Sequence, residues 1–282
     1  IMLNFEYDNK TKMIFGKNTE NETGKYTKLH GKKVLLHYGR NSIKKYGLYD
    51  RIVASLKDNN IEFVELGGVQ ANPRMKLVDE GIALSKKENV DFILAVGGGS
   101  VIDSAKAIAL GRYTDDDVWE ECFIKGNKPE KILPVGVVLT IPAAGSESSI
   151  FTVITKEEGE VKMGYANESL RPVFAILNPE LTYTLPNYQT SCGVVDMLAH
   201  VFERYFSNTK NIDLTDRLCE SVITTVIENA PIALKDNNNY ASRAEIMLAG
   251  ALAHNVILGT GREEDWASHG MDHQLRALFD LA

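Results

Sequence analysis

The sequence predicts an α/β fold for residues 1–183 followed by an all-helical unit over residues 184–282, and three observations carry that reading. Short β-branched runs alternate with helical stretches through the first part: Val34 to Tyr38, Ser42 to Lys57, Phe63 to Leu66, Lys76 to Lys87 and Phe92 to Val96. Strands such as Phe92-Ile93-Leu94-Ala95-Val96 are apolar on both faces, which suits a parallel sheet covered by helices on either side. After Pro179 and Pro186 the period turns helical, with Leu214, Leu218, Val222 and Val226 spaced four apart. Those prolines bracket Glu180 to Leu185, which puts the domain boundary near Tyr183.

Taken in order, Leu3 to Phe15 alternates around Asp8-Asn9-Lys10 and predicts an extended hairpin flanking the sheet. The βαβ series follows, with further buried strands expected at Val135 to Thr140 and Val173 to Leu177. The 282 residues are 44% hydrophobic and 24% charged, which excludes collagen-like and disordered classes. Acidic residues outnumber basic ones 38 to 31, so no basic field exists to hold nucleic acid or an anionic membrane, and neither is expected as a partner. Cys122, Cys192 and Cys219 form no CxxC pair, so neither a disulfide framework nor a thiolate zinc site is suggested. With no membrane-length apolar run and no signal-peptide pattern, the expected location is the cytoplasm.

Two turns at the carboxyl ends of apolar strands carry the first chemistry. Phe92 to Val96 runs into Gly97-Gly98-Gly99-Ser100 and then a helix beginning around Val101, with Asp103 and Lys106 on its first two turns. Glycines let backbone N–H groups approach phosphate oxygens, and the helix start adds unpaired donors and the positive end of its dipole. A plain βα turn is the alternative, and the pattern is not the GxGxxG fingerprint. Asp103 could accept from a ribose or nicotinamide group or simply favour the helix dipole. Thr140 to Ser149 forms a second polar turn after Val135 to Leu139, and the two turns are expected to wall one cleft.

Asp196 and His200 lie four apart with apolar residues between them, so both fall on one helix face. His269 and His273 form a second such pair. A carboxylate and imidazoles can bind one divalent ion, although a buried Asp hydrogen-bonded to a His also fits the spacing. His254 reads as a helix-packing residue.

Together, Gly97-Gly98-Gly99-Ser100-x-x-Asp103-x-x-Lys106, Thr140-x-Pro142-x-x-Gly145-Ser146-Glu147, Asn178-Pro179-Glu180, Asp196-x-x-x-His200 and Gly261-Arg262-Glu263-Glu264-Asp265-Trp266-x-x-His269-Gly270-Met271-x-His273 resemble the iron-containing (group III) alcohol dehydrogenases, especially their butanol dehydrogenase branch. The resemblance covers essentially the whole chain. It implies a dehydroquinate synthase-like architecture, with a Rossmann-like nucleotide domain, a helical domain, and NAD(P) and one divalent metal in the cleft between them. It further implies that Gly97, Gly98, Gly99 and Ser100 bind the pyrophosphate, that Asp103 lies near the nicotinamide, and that Thr140, Ser149 and Lys162 contact the cofactor. Asp196, His200 and His269 match three metal ligands, with Fe2+ the expected ion and Zn2+, Ni2+ or Co2+ as alternatives. His273 matches a histidine near the reacting carbon, which relays the proton or orders the pocket.

The implied activity is hydride transfer between NAD(P)H and short aliphatic aldehydes or alcohols such as butanal and butanol, in a homodimer. A glycerol dehydrogenase-like polyol oxidoreductase and a catalytically silent nucleotide-binding fragment are the alternatives. NAD-preferring relatives often carry an Asp at the position of Gly39, where it meets the ribose 2′-hydroxyl. Gly39 lacks that carboxylate, and Arg40 with Ser42 could hold a 2′-phosphate, so NADP(H) is expected to be preferred. The family's fourth ligand, a His fourteen positions after the match to His269, falls one residue past Ala282, so the helical domain is expected to be incomplete.

Overall fold

The computed structural model describes residues 1–279. Its strands are β1 (Lys12–Phe15), β2 (Lys33–Tyr38), β3 (Glu62–Leu66), β4 (Phe92–Gly97), β5 (Val135–Leu139), β6 (Phe151–Lys156), β7 (Val161–Ala166) and β8 (Phe174–Leu177). Its helices are α1 (Thr23–Thr27), α2 (Ser42–Lys45), α3 (Leu48–Asp58), α4 (Met75–Lys87), α5 (Gly99–Gly111), α6 (Asn187–Tyr205), α7 (Asp213–Lys235), α8 (Tyr240–Ala253) and α9 (Ala267–Phe279).

The apolar runs become the centre of a six-stranded sheet in the order β1-β8-β5-β4-β2-β3, and every pairing in it is parallel. Successive residues of a strand point to opposite faces, so a strand buried on both sides must be apolar throughout. Val34, Leu36 and Leu94 pack with Ile52 and Leu56 of α3 on one face. Leu35, Ile93 and Ala95 pack with Val78 of α4 and with Ile102 and Ile108 of α5 on the other. Each Val, Leu or Ile among them contributes about 2 kcal/mol by leaving water. Met197, Val201, Val222, Val226 and Ile246 form a separate core among α6, α7 and α8.

Four expectations change. The hairpin over Leu3 to Phe15 does not form: residues 1–11 have no regular structure, and Lys12–Phe15 is an edge strand parallel to β8. Alternation reports a half-buried strand, and the partner here is distant in sequence. The helix expected over Ser42 to Lys57 breaks at Gly47, whose φ of 71° lies in the left-handed region where glycine carries no steric penalty. On α7, Leu214 is 71% exposed, while Thr215, Cys219, Val222, Val226, Ala230 and Ala233 are buried. A strict spacing of four overruns the helical period of about 3.6, so only a mixture of threes and fours holds one face. Finally, β6 and β7 form an antiparallel pair outside the main sheet, a feature the sequence reading missed.

Among the described residues no helix is long and apolar enough to cross a membrane. Cys122, Cys192 and Cys219 are free.

Candidate functional site

The carboxyl ends of β4 and β5 lie side by side, and the turn after each strand touches the other. Thr140 N–H donates to the Gly97 carbonyl at 3.0 Å, and a Cβ on Gly98 would come within 3.1 Å of Ile141. Helix α5 starts at Gly99, two residues earlier than the sequence suggests, with Gly98 as its extended N-cap. The glycines serve different ends. A Cβ at Gly97 would strike Val101 at 2.5 Å, so that position is small for packing, whereas a Cβ at Gly99 would meet nothing within 4 Å. Gly99 thus opens a space directly above the unpaired N–H groups of the helix start, which fits a phosphate.

Lys106, about two turns further along α5, is fully buried and holds the second loop. Its ammonium donates to the carbonyl oxygens of Ser146, Ser149 and Phe151 at 2.7, 2.9 and 2.8 Å, and shares protons with the Ser146 and Ser149 hydroxyls at 3.1 and 3.3 Å. Burial lowers its pKa to about 8 against the opposing pull of Asp103 and Glu147. Asp103 accepts from the Ser146 hydroxyl at 2.6 Å and from Val153 N–H at 3.1 Å, so its carboxylate ties the loop to β6. Ser149 is 1% exposed and its hydroxyl faces Lys106.

The helical part docks on this loop. A Cβ at Gly193 of α6 would lie 2.4 Å from the Pro142 carbonyl oxygen, and one at Gly145 would lie 2.8 Å from the Gly250 carbonyl of α8. From that close approach α6 leads away from the loop with Asp196 and His200 on it, while α9 packs against β7. Asp196, His200 and His269 meet there, with one donor atom from each within 4.8 Å of the others. His200 Nδ1–H donates to the Asp196 carbonyl at 2.8 Å, which leaves its Nε2 lone pair free. His269 turns Nε2 toward Asp196 Oδ1 at 3.7 Å, its Nδ1 being taken by Glu203. Burial pushes the Asp196 carboxyl up, but His269 and His200 outweigh it and hold the group ionised, below its usual range. An ionised carboxylate and two imidazoles suit a borderline divalent ion, which would displace the proton that Asp196 and Glu203, against burial, favour on His269.

Of the other expected residues, His273 and Lys162 lie near this cluster. His273 lies one turn along α9, its ring 6.4 Å from that of His269, and burial together with Lys162 lowers its pKa to about 4, so it is neutral. Lys162, on β7, donates to Asn72 at 3.0 Å. Gly39 follows β2, Arg40 donates to Gln70 at 3.1 Å, and Ser42 opens α2. The position expected for a fourth ligand lies past Ala282, and residues 280–282 before it are outside the described residues.

Sequence reasoning missed the scaffold around this cluster. Arg204 is 1% exposed; it donates to the His200 and Ala253 carbonyls at 2.9 and 3.0 Å, pairs with Glu264 at 2.9 Å, and lies over the Trp266 ring at 4.5 Å. It also donates to His254 Nδ1 at 2.8 Å. His254 stacks on Phe151 and packs edge-on against His200, so this packing histidine lies against a site residue. Glu203 was legible in principle, since 196, 200 and 203 share one helix face.

A family model described as "Iron-containing alcohol dehydrogenase" matches residues 10–179, and one described as "Fe-containing alcohol dehydrogenase family, C-terminal" matches residues 190–282. The chain is 48% identical over 280 residues to "Probable NADH-dependent butanol dehydrogenase 2" of Bacillus subtilis, covering 99% of this chain and 72% of that protein. It is 37% identical over 283 residues to the NADPH-dependent aldehyde reductase of Escherichia coli, with the same 99% and 72% covered. The solved structure of NADH-dependent butanol dehydrogenase A from Thermotoga maritima superposes with a TM-score of 0.96 at 39% identity, covering 100% of this chain and 71% of that one.

Proposed function

The chain belongs to the iron-containing alcohol dehydrogenase family, and on that footing we propose that it is a metal-dependent alcohol dehydrogenase and aldehyde reductase acting on short aliphatic substrates such as butanal and butanol. The observation that carries the reading is the convergence of Asp196 and His200, on the helix α6 that docks against the loop beside the glycine turn, with His269 on α9. When bound, the nicotinamide supplies the hydride and the divalent ion, Fe2+ in the first instance, polarises the aldehyde oxygen. Asp196, His200 and His269 hold the ion. Gly97, Gly98, Gly99 and Ser100 receive the pyrophosphate, with backbone N–H groups aimed at its oxygens. Thr140, Lys162 and Asp103 border the remaining length of the cofactor, and Ser149 acts through the loop that Lys106 anchors. Neutral His273 relays a proton to the substrate oxygen by releasing one N–H while its other nitrogen takes a proton from water.

The nucleotide-binding unit is taken as residues 1–183 and the metal-binding unit as residues 184–282. NADPH is preferred over NADH in this reading, because Gly39 places no carboxylate at the end of β2 and Arg40 and Ser42 stand beside it. The reading includes a homodimer in the cytoplasm, where the free cysteines stay reduced.

His269→Ala tests the proposal. Removing one imidazole is expected to lower bound metal and to cut NADPH-linked butanal reduction by at least about 100-fold while NADPH binding persists. Unchanged butanal turnover in a folded variant would overturn it.

A further inference from the structure

Glu203 stands on α6 three residues after His200 and seven after Asp196, is buried at 9% exposure, and is no member of the three-residue donor cluster. Both of its carboxylate oxygens are spent on one residue. Oε1 accepts from the His269 backbone N–H at 3.0 Å, and Oε2 accepts from the His269 ring Nδ1. The Glu203 carbonyl accepts from Asp265 N–H at 3.0 Å, just before α9 begins. His269 is the third residue of α9, so its N–H is one of the donors that a helix start leaves without an internal partner. A carboxylate from another helix therefore caps α9 and grips the side chain of the residue it caps.

The grip has a chemical consequence. A carboxylate facing Nδ1 requires the proton on that nitrogen, which leaves the lone pair on Nε2, the nitrogen turned toward Asp196 at 3.7 Å. With two attachment points, one at the backbone and one at the ring, His269 loses the rotations that would carry Nε2 away from Asp196 and His200. The negative charge behind the ring also makes Nε2 a stronger donor.

We propose that Glu203 is a positioning residue of the metal centre, fixing the His269 tautomer and ring orientation so that Nε2 is presented to a divalent ion. The inference rests on the reading of Asp196, His200 and His269 as metal ligands and assigns the residue that prepares one of them.

The test uses Co2+ added to the metal-free protein, read by its visible absorption and by competition with a chelator, together with nitrogen-15 NMR of the histidine rings. Glu203→Gln keeps the size of the side chain but offers one acceptor and one NH2 donor where two acceptors are needed. It is expected to weaken Co2+ binding by about 10- to 100-fold and to depopulate the Nδ1–H tautomer of His269, with the far-ultraviolet circular dichroism unchanged. Co2+ affinity within about threefold of the parent's would overturn the role of Glu203 while leaving the metal site standing. A parent protein that binds no Co2+ would overturn the metal reading and this inference with it. If Glu203→Gln does not fold, the parent spectrum at a pH high enough for a neutral His269 ring decides: the Nδ1–H tautomer supports the proposal, and the Nε2–H tautomer overturns it.

Discussion

Lys106 donates to the Ser146 carbonyl at 2.7 Å, and this contact joins the helix that follows the glycine turn to the loop on which α6 and α8 dock. A buried ammonium sharing its protons among five oxygens is an unusual anchor for a loop, because no apolar side chain can replace it without orphaning those acceptors. Lys106→Met should therefore destabilise the protein by about 3 kcal/mol, measured by urea denaturation. A loss below about 1 kcal/mol would mean that the loop is held by its other contacts.

Glu147 lies in the same loop, 1% exposed, with Oε1 lacking a hydrogen-bond partner. Burial raises its pKa from 4.5 to about 7, opposed by Lys106. Below the unfolded value both states hold the proton; between the two values the unfolded chain releases it first, so stability falls as pH rises through that window and levels off above it. Relative to Glu147→Gln, the parent should lose about 3 kcal/mol between pH 4.5 and 7, read from denaturation midpoints. A constant difference across the window would show that the carboxyl ionises freely in the fold.

Gly99→Ala separates binding from packing. The added methyl meets no protein atom within 4 Å, so the thermal midpoint should hold or rise slightly, since alanine suits a helix better than glycine. The methyl does enter the space assigned to the pyrophosphate, and NADPH affinity, followed by nicotinamide fluorescence, should fall by about tenfold or more. Unaltered NADPH binding would place the phosphates elsewhere.

Gly39→Asp addresses cofactor choice. A Cβ at this position has Val69 O as its nearest neighbour at 3.5 Å, so packing tolerates a side chain there. A carboxylate would accept from a ribose 2′-hydroxyl and repel a 2′-phosphate. The ratio of kcat/KM for NADPH to that for NADH should drop by about tenfold or more in steady-state assays, and a ratio that stays put would remove Gly39 from the determinants of specificity.

What could be read without the structure was whatever a single element spells out along its own length. Val34 to Tyr38 and Phe92 to Val96 announce buried parallel strands because their apolar residues are contiguous, and both lie in the all-parallel sheet. Gly97 to Ser100 announces a turn into a helix, and Asp196 with His200 a shared face, because turn geometry and the helical period are local. Local pattern misled where the partner was distant: Leu3 to Phe15 alternates, yet Lys12–Phe15 pairs with β8 some 160 residues away. On α7 a spacing of four looked like a face until packing against α6 and α8 selected Thr215, Cys219, Val222 and Val226.

The sequence by itself determined the central buried strands, the glycine turn into α5 and the donors carried by α6 and α9, since these follow from steric and periodic rules acting over a few residues. Only the tertiary structure decided that His269 meets Asp196 and His200, that Glu203 spends both oxygens on His269, and that Lys106 closes the loop between the two parts. Those outcomes depend on how α6 and α9 pack, and packing is set by side-chain volumes and close backbone approaches, such as Gly193 against Pro142, that no spacing along one chain segment encodes.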